Sequence, residues 1–203
     1  MKEIICLVTG GGAPAAILSR IREAAAAGID LIQIREPSLD DRTLLTLTSE
    51  AVDAVQTTAC RVVVNDRLDI ALAANAPGVH LRGNSFSAAR VRASVPRGFL
   101  VGRSVHGVDE ARAAAASGCD YLIFGTIFPS RSKPPGHPAV GLDALRKVSQ
   151  SVQIPVVAIG GICVDNAAAA VAAGAAGVAG IELFQGPQPP GETVARLRRS
   201  FDT

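Results

Sequence analysis

Polar side chains recur in this chain at the ends of short apolar runs, where a buried strand would hand over to a loop. Gln33, Arg35 and Glu36 close "DLIQIRE", Asn65 and Asp66 close "RVVVND", His80 lies in "GVHL", and Ser104 and His106 end "FLVGRSVH". A further run leads into "FPSRSKPPGHPAVGL", which concentrates Ser130, Ser132 and Lys133 among prolines, and "IPVVAIGG" ends in Gly160-Gly161. Hydroxyls and cations fixed at strand ends are the pattern of a binding loop on a rigid scaffold. Glycines without Cβ let backbone N–H groups approach an anion, and Lys133 would add the point charge that a phosphate or pyrophosphate needs. An arginine such as Arg35 at the inner end of a strand is costly to bury without an anionic partner, and Glu36 is either that partner or a base. Each residue also has a structural reading. Asp66 could cap the next helix, His80 could be a satisfied core histidine, His106 could belong to a helix cap, His137 could be solvated, and the glycine pair could be a tight strand exit.

The elements that must position these residues follow from one recurring pattern: an alanine-rich helical stretch, a small residue, then a β-branched run. It appears as "REAAAAGIDLIQIRE", "ALAANAPGVHLRG", "ARAAAASGCDYLIFG" and "AAVAAGAAGVAGI". With "IICLVTG", "RVVVNDR", "FLVGRSV" and "IPVVAIGG" between them, eight strand–helix pairs result. Eight βα units predict a compact TIM (β/α)8 barrel, shorter than the typical ~250 residues. A doubly wound open sheet is the competing architecture, but "GGG" at 10–12 is not followed by the rest of a GxGxxG turn. In a barrel the chemistry sits at the carboxyl ends of the strands, with the phosphate site usually after strands seven and eight.

Composition bounds the rest. The 203 residues suit a single domain over 1–203, and 48% hydrophobic with only 3% aromatic residues suits small-residue helices packed over a buried parallel sheet. A net charge of +2 without an aromatic-interleaved basic stripe argues against nucleic acid, and no run reaches the length of a membrane span. Cys6, Cys60, Cys119 and Cys163 are dispersed, without metal-ligand spacing, and read as buried free thiols. A cytoplasmic protein is expected, and weakly charged outer helices make a homo-oligomer plausible.

The order QIRE, NDRLDIA, GVHL, SVHGVDEA, DYLIFGTIFPSRSK and PVVAIGGI resembles the thiamine phosphate synthase and TenI superfamily over roughly residues 4–186. The resemblance implies a TIM barrel that binds thiazole phosphate, with Ser130, Ser132 and Lys133 as the phosphate or pyrophosphate clamp. Synthase members also bind a pyrimidine pyrophosphate and magnesium. Synthases carry a lysine where this chain has Pro37, and a second metal aspartate after "GVHLGQE" where it reads Arg82-Gly83-Asn84-Ser85. Those departures, with "SFSAARVRASVP", point to the TenI branch, which isomerises a thiazole carboxylate phosphate tautomer and needs no metal. The histidine that tautomerases place after "FG" is Thr126 here, leaving Glu36, His80 and His106 as proton carriers. The expectation is therefore a TenI-like thiazole tautomerase without cofactor. The alternatives are a thiamine phosphate synthase, with magnesium, and a phosphate-binding barrel that has lost its chemistry.

Overall fold

The structure is a computed structural model that describes residues 2–130, 138–186 and 188–202. Eight parallel strands close a barrel in sequence order: β1 (Ile4–Val8), β2 (Leu31–Ile34), β3 (Arg61–Asn65), β4 (Gly78–Leu81), β5 (Leu100–Val105), β6 (Tyr121–Gly125), β7 (Val156–Ile159) and β8 (Gly177–Gly180). Helices α1 (Pro14–Ala26), α2 (Asp41–Val55), α3 (Leu68–Ala73), α4 (Ala88–Arg92), α5 (Val108–Ala116), α6 (Gly141–Ser151), α7 (Val164–Ala172) and α8 (Pro190–Phe201) follow the strands in turn. This is the expected TIM barrel; closure through β1 and β8, with Ile5 opposite Val178 and Cys6 opposite Ala179, excludes the open sheet.

The strands are apolar on both faces because each face is buried. Ile5 and Leu7 of β1 point out to the helices, whereas Cys6 and Val8 point in to meet Leu31, Val63, Tyr121, Ile123 and Val157. The barrel interior is filled by few side chains, and one glycine makes room for the largest. A Cβ on Gly102 would stand 2.1 Å from the Tyr121 ring, so β5 presents no side chain there. In α1, Ile17, Ile21, Ala24 and Ala25 recur at helical spacing and are buried. A fully buried Ile such as Ile21 contributes about 1.5–3 kcal/mol, so this stripe is what holds α1 on the sheet.

The four alanine-rich repeats end alike. Gly28, Asn75, Gly118 and Gly174 have φ of 83°, 53°, 94° and 99°, the left-handed turn that stops a helix. The next residue donates its N–H back across the turn: Ile29 to Ala24, Ala76 to Ala71, Cys119 to Ala114 and Ala175 to Ala170, at 2.8–3.2 Å. All four of these residues are buried, so each turn aims the chain into the next strand.

At the amino ends of the strands two aspartates do the same work half a barrel apart. Asp30 accepts the Ile5 N–H at 2.8 Å and pairs with Arg198 and Lys2, and Asp120 accepts the Val101 N–H at 2.7 Å and pairs with Arg92. Among the described residues no helix is long and apolar enough to cross a membrane.

Candidate active site

The carboxyl ends of the strands surround a cavity of about 530 Å³, the size of a small-molecule site. Register explains which residues meet there. β3 pairs with β4 so that Asn65 lies beside His80, and β4 pairs with β5 so that His80 lies beside Gly102 and Leu81 beside Arg103. Gln33, Arg35, Asn65, His80, Ser104, His106, Thr126 and Gly160 all line the cavity, and so do Arg82, Asn84 and Glu110, to which the sequence reading assigned no role.

His80 is buried on the cavity floor with both ring nitrogens engaged: Nδ1 is 3.0 Å from the Tyr121 hydroxyl and Nε2 is 2.9 Å from Ser104 Oγ. Burial pushes its pKa down to about 3; the Asp66 charge works against this and the Arg103 charge adds to it. His80 is thus a neutral imidazole at pH 7, and burial keeps Tyr121 a phenol. The pair holds the Ser104 hydroxyl at the cavity wall. His106 is exposed, and Glu110 accepts its backbone N–H at 2.8 Å and approaches its Nδ1 at 3.3 Å. It precedes Gly107, the N-cap of α5, and its side chain does not cap the helix.

Arg35 and Glu36 do not form the pair that their adjacency suggested. Glu36 is buried and its Oε2 accepts the Gly11 N–H at 2.8 Å, tying the glycine turn after β1 to the end of β2. Arg35 is exposed rather than buried, and among the described residues no carboxylate is paired with its guanidinium. Its backbone N–H is held by Thr9 Oγ1 at 2.9 Å, which fixes where the side chain leaves β2.

Asp66 does not cap α3. Its φ of 61° turns the carboxylate back toward β4, where Arg82 Nε and Nη2 donate to Oδ2 at 2.6 and 2.5 Å and the Arg82 N–H reaches Oδ1 at 3.3 Å. Burial works to raise the Asp66 carboxyl, but hydrogen bonds from Ser85, the Arg82 backbone and the Arg82 guanidinium outweigh it and hold it below the ordinary carboxylate range. Arg103 pins the loop carrying these partners, donating to the carbonyls of Phe86 and Gly83 at 2.6 Å and of Ser85 at 3.2 Å.

Gly160 and Gly161 have φ of 96° and 63°. A Cβ on Gly161 would lie 2.4 Å from the Pro129 carbonyl oxygen, so the glycine is required by the close approach of the chain after β6. The pair lines a groove of about 40 Å³ with Ser130, Gly180 and Ile181, and the exposed Glu182 stands at its edge. Ser132, Lys133 and His137 lie outside the described residues.

Fold and site together define a TIM barrel with a polar cavity, rimmed by guanidinium groups, at the carboxyl ends of its strands. The chain belongs to the thiamine monophosphate synthase family, whose model matches residues 5–184. It is 38% identical over 195 residues to a thiamine-phosphate synthase of Methanoregula boonei, covering 96% of this chain and 89% of the relative. It is 39% identical over 195 residues to that of Moorella thermoacetica, covering 96% and 92%. Among solved structures, thiamine phosphate pyrophosphorylase from Pyrococcus furiosus superposes with a TM-score of 0.86 at 30% identity over 99% of this chain and 96% of that one. The 3-hexulose-6-phosphate synthase from Salmonella typhimurium, with a TM-score of 0.77 at 14% identity over 99% and 98%, shares the fold.

These relatives overturn the expectation of a TenI-like thiazole tautomerase, and with it that of an isomerase. Near full-length relatives are synthases, and the departures at Pro37 and Ser85 do not mark a tautomerase.

Magnesium, which the resemblance implies for a synthase, finds no fitting donor set. Among the described residues no three His, Cys, Asp or Glu side chains cluster as metal ligands. Asp66 is already taken by Arg82 and Ser85, and the guanidinium, not the carboxylate, lines the cavity. A hard cation wants several oxygen ligands and would meet a positive charge there.

Proposed function

We propose that this protein is a thiamine-phosphate-forming transferase, joining a pyrimidine carried as its pyrophosphate ester to thiazole phosphate and releasing pyrophosphate. What carries the reading is identity of 38–39% to thiamine-phosphate synthases along 96% of the chain. In the reaction the carbon–oxygen bond to pyrophosphate breaks, its electron pair leaves with the phosphate oxygen, and the thiazole ring nitrogen forms the new bond to that carbon. Nothing in this exchange needs a titrating histidine, which agrees with a His80 kept neutral by burial.

The work required of the protein is positioning and charge stabilisation. Arg35 and Arg82 stand at the cavity where a leaving pyrophosphate gathers negative charge. Gln33 and Thr126, both buried, with Asn65 and Ser104, offer the amide and hydroxyl groups that orient a heterocycle. The groove at Ser130, Gly160 and Gly161 offers backbone N–H groups to the phosphate of the thiazole partner. Glu36 holds the turn at Gly11 beside Arg35.

The test is direct. Purified protein is incubated with the pyrimidine pyrophosphate and thiazole phosphate, and thiamine phosphate is read as fluorescent thiochrome alongside released pyrophosphate. Stoichiometric appearance of both products is expected. Binding of either substrate without product would make the barrel a phosphate-ligand binder and overturn the transferase reading.

A further inference from the structure

The site rejects the metal that its family implies, yet a pyrophosphate leaving group needs positive charge in the same place. We propose that Arg82, held on Asp66, is itself the cation presented to the pyrophosphate group of the substrate, in the position a divalent metal would take. The proposal rests on the transferase reading above and adds to it a binding residue and metal independence.

The geometry is that of a fixed cation. A guanidinium has five N–H donors in a rigid fork. Arg82 spends Nε and one Nη2 hydrogen on Asp66 Oδ2, which locks the plane of the group and leaves three N–H donors for a ligand. The side chain is 63% exposed and lines the cavity, whereas Asp66 is 13% exposed and lies behind it. The carboxylate thus serves as an anchor rather than as a ligand to something in the cavity. The Ser85 N–H donates to the Arg82 carbonyl at 3.1 Å, which closes the turn that carries the arginine.

The charge balance also favours an anion. Two guanidinium groups, Arg35 and Arg82, line the cavity against one carboxylate, Glu110, while Arg103, on the outer face of β5, is held by three backbone carbonyls of the loop that carries Arg82. A bidentate guanidinium on phosphate oxygens is a strong, directional contact, and Arg103 fixes the loop so that little of that energy is spent on ordering.

Calorimetric titration of inorganic pyrophosphate into the whole chain, in EDTA and in excess magnesium chloride, tests the proposal. The wild type is expected to bind with affinities that agree within about twofold in the two buffers. Arg82→Ala should weaken binding about 10- to 100-fold, the loss of hydrogen bonds to a charged group, and Arg82→Lys should recover part of that. Circular dichroism confirms that both variants are folded. A double variant, Arg82→Gly with Ser85→Asp, should acquire a Mn²⁺ site, seen as loss of the free-ion electron paramagnetic resonance signal that the wild type leaves intact. Magnesium tightening pyrophosphate binding to the wild type tenfold or more, Mn²⁺ uptake by the wild type, or an Arg82→Ala variant of unchanged affinity would each overturn it. Failure of the underlying reading looks different: metal-independent, Arg82-dependent pyrophosphate binding without thiamine phosphate formation leaves the clamp standing and removes the transferase.

Discussion

The two ends of the barrel use the same pair of residues for opposite purposes. At the amino end, Asp30 and Asp120 each accept a strand N–H and draw an arginine over themselves, so the ion pair closes the barrel floor. At the carboxyl end, Asp66 accepts from Arg82 and leaves the guanidinium facing the cavity. In the first case the carboxylate is the functional group and the arginine compensates it. In the second the arginine is the functional group and the carboxylate aims it. An Asp–Arg pair therefore says little until it is known which partner faces the open space.

The comparison breaks most visibly if the floor pairs are dispensable. Asp30→Ala would leave the Ile5 N–H unsatisfied and both Lys2 and Arg198 without their carboxylate, a loss of about 3 kcal/mol. In a chain of this size that should lower Tm by roughly 6–12 °C in thermal melts. A drop of less than about 2 °C would mean that the floor network contributes nothing.

His80 sharpens the contrast by being a residue of the site that nonetheless carries stability. Its folded pKa, about 3, lies below its ordinary 6.5, so between those values the unfolded chain binds a proton that the folded chain refuses. Stability from this group is full above pH 6.5 and falls with acidification through that window, by about 1.4 kcal/mol per pH unit. Denaturation midpoints followed from pH 7 to pH 5 should show a loss of about 2 kcal/mol that His80→Gln abolishes. An identical acid slope in the variant would place the proton uptake elsewhere.

The helix ends offer a smaller effect. Gly28→Ala puts a Cβ into open space but at φ 83°, so only the left-handed backbone is penalised, by about 1 kcal/mol. Asn75→Gly, at φ 53°, should be neutral or slightly stabilising. Chemical denaturation of both variants measures the difference.

These turns explain why the fold was legible. Helix stop and buried strand entry lie within a few residues of each other, so "AAAAGID" and "AAAASGCD" announce a βα unit through local chemistry alone. The site was legible only where its parts were local. Asp66 and Arg82 are sixteen residues apart, and His80 is twenty-four from Ser104 and forty-one from Tyr121; only strand register brings them together. The register that sets Asn65 beside His80 is what turns Asp66, a candidate binding residue in the sequence, toward Arg82. The mistaken preference for a tautomerase has a related cause. Ser85 in place of an aspartate points away from a synthase when taken alone, whereas identity to synthases along 96% of the chain points the other way.

The smallest expected effect on stability is at Arg82, and it separates the two ends of the barrel most cleanly. The side chain is 63% exposed, and exposed pairs are worth about 0–1 kcal/mol, since water screens the attraction and ordering a long side chain opposes it. Asp66 keeps the Arg82 backbone N–H when the guanidinium is removed and is open to solvent through its 13% exposed side chain, so its charge is not stranded in the interior. Arg82→Ala should therefore melt within about 2 °C of the wild type in the absence of ligand. Pyrophosphate should raise the Tm of the wild type and leave that of the variant almost unmoved, because ligand stabilisation follows affinity. A ligand-free melting point lowered as far as that of Asp30→Ala would show that Arg82 is structural, and the distinction between an arginine that compensates and one that binds would fall.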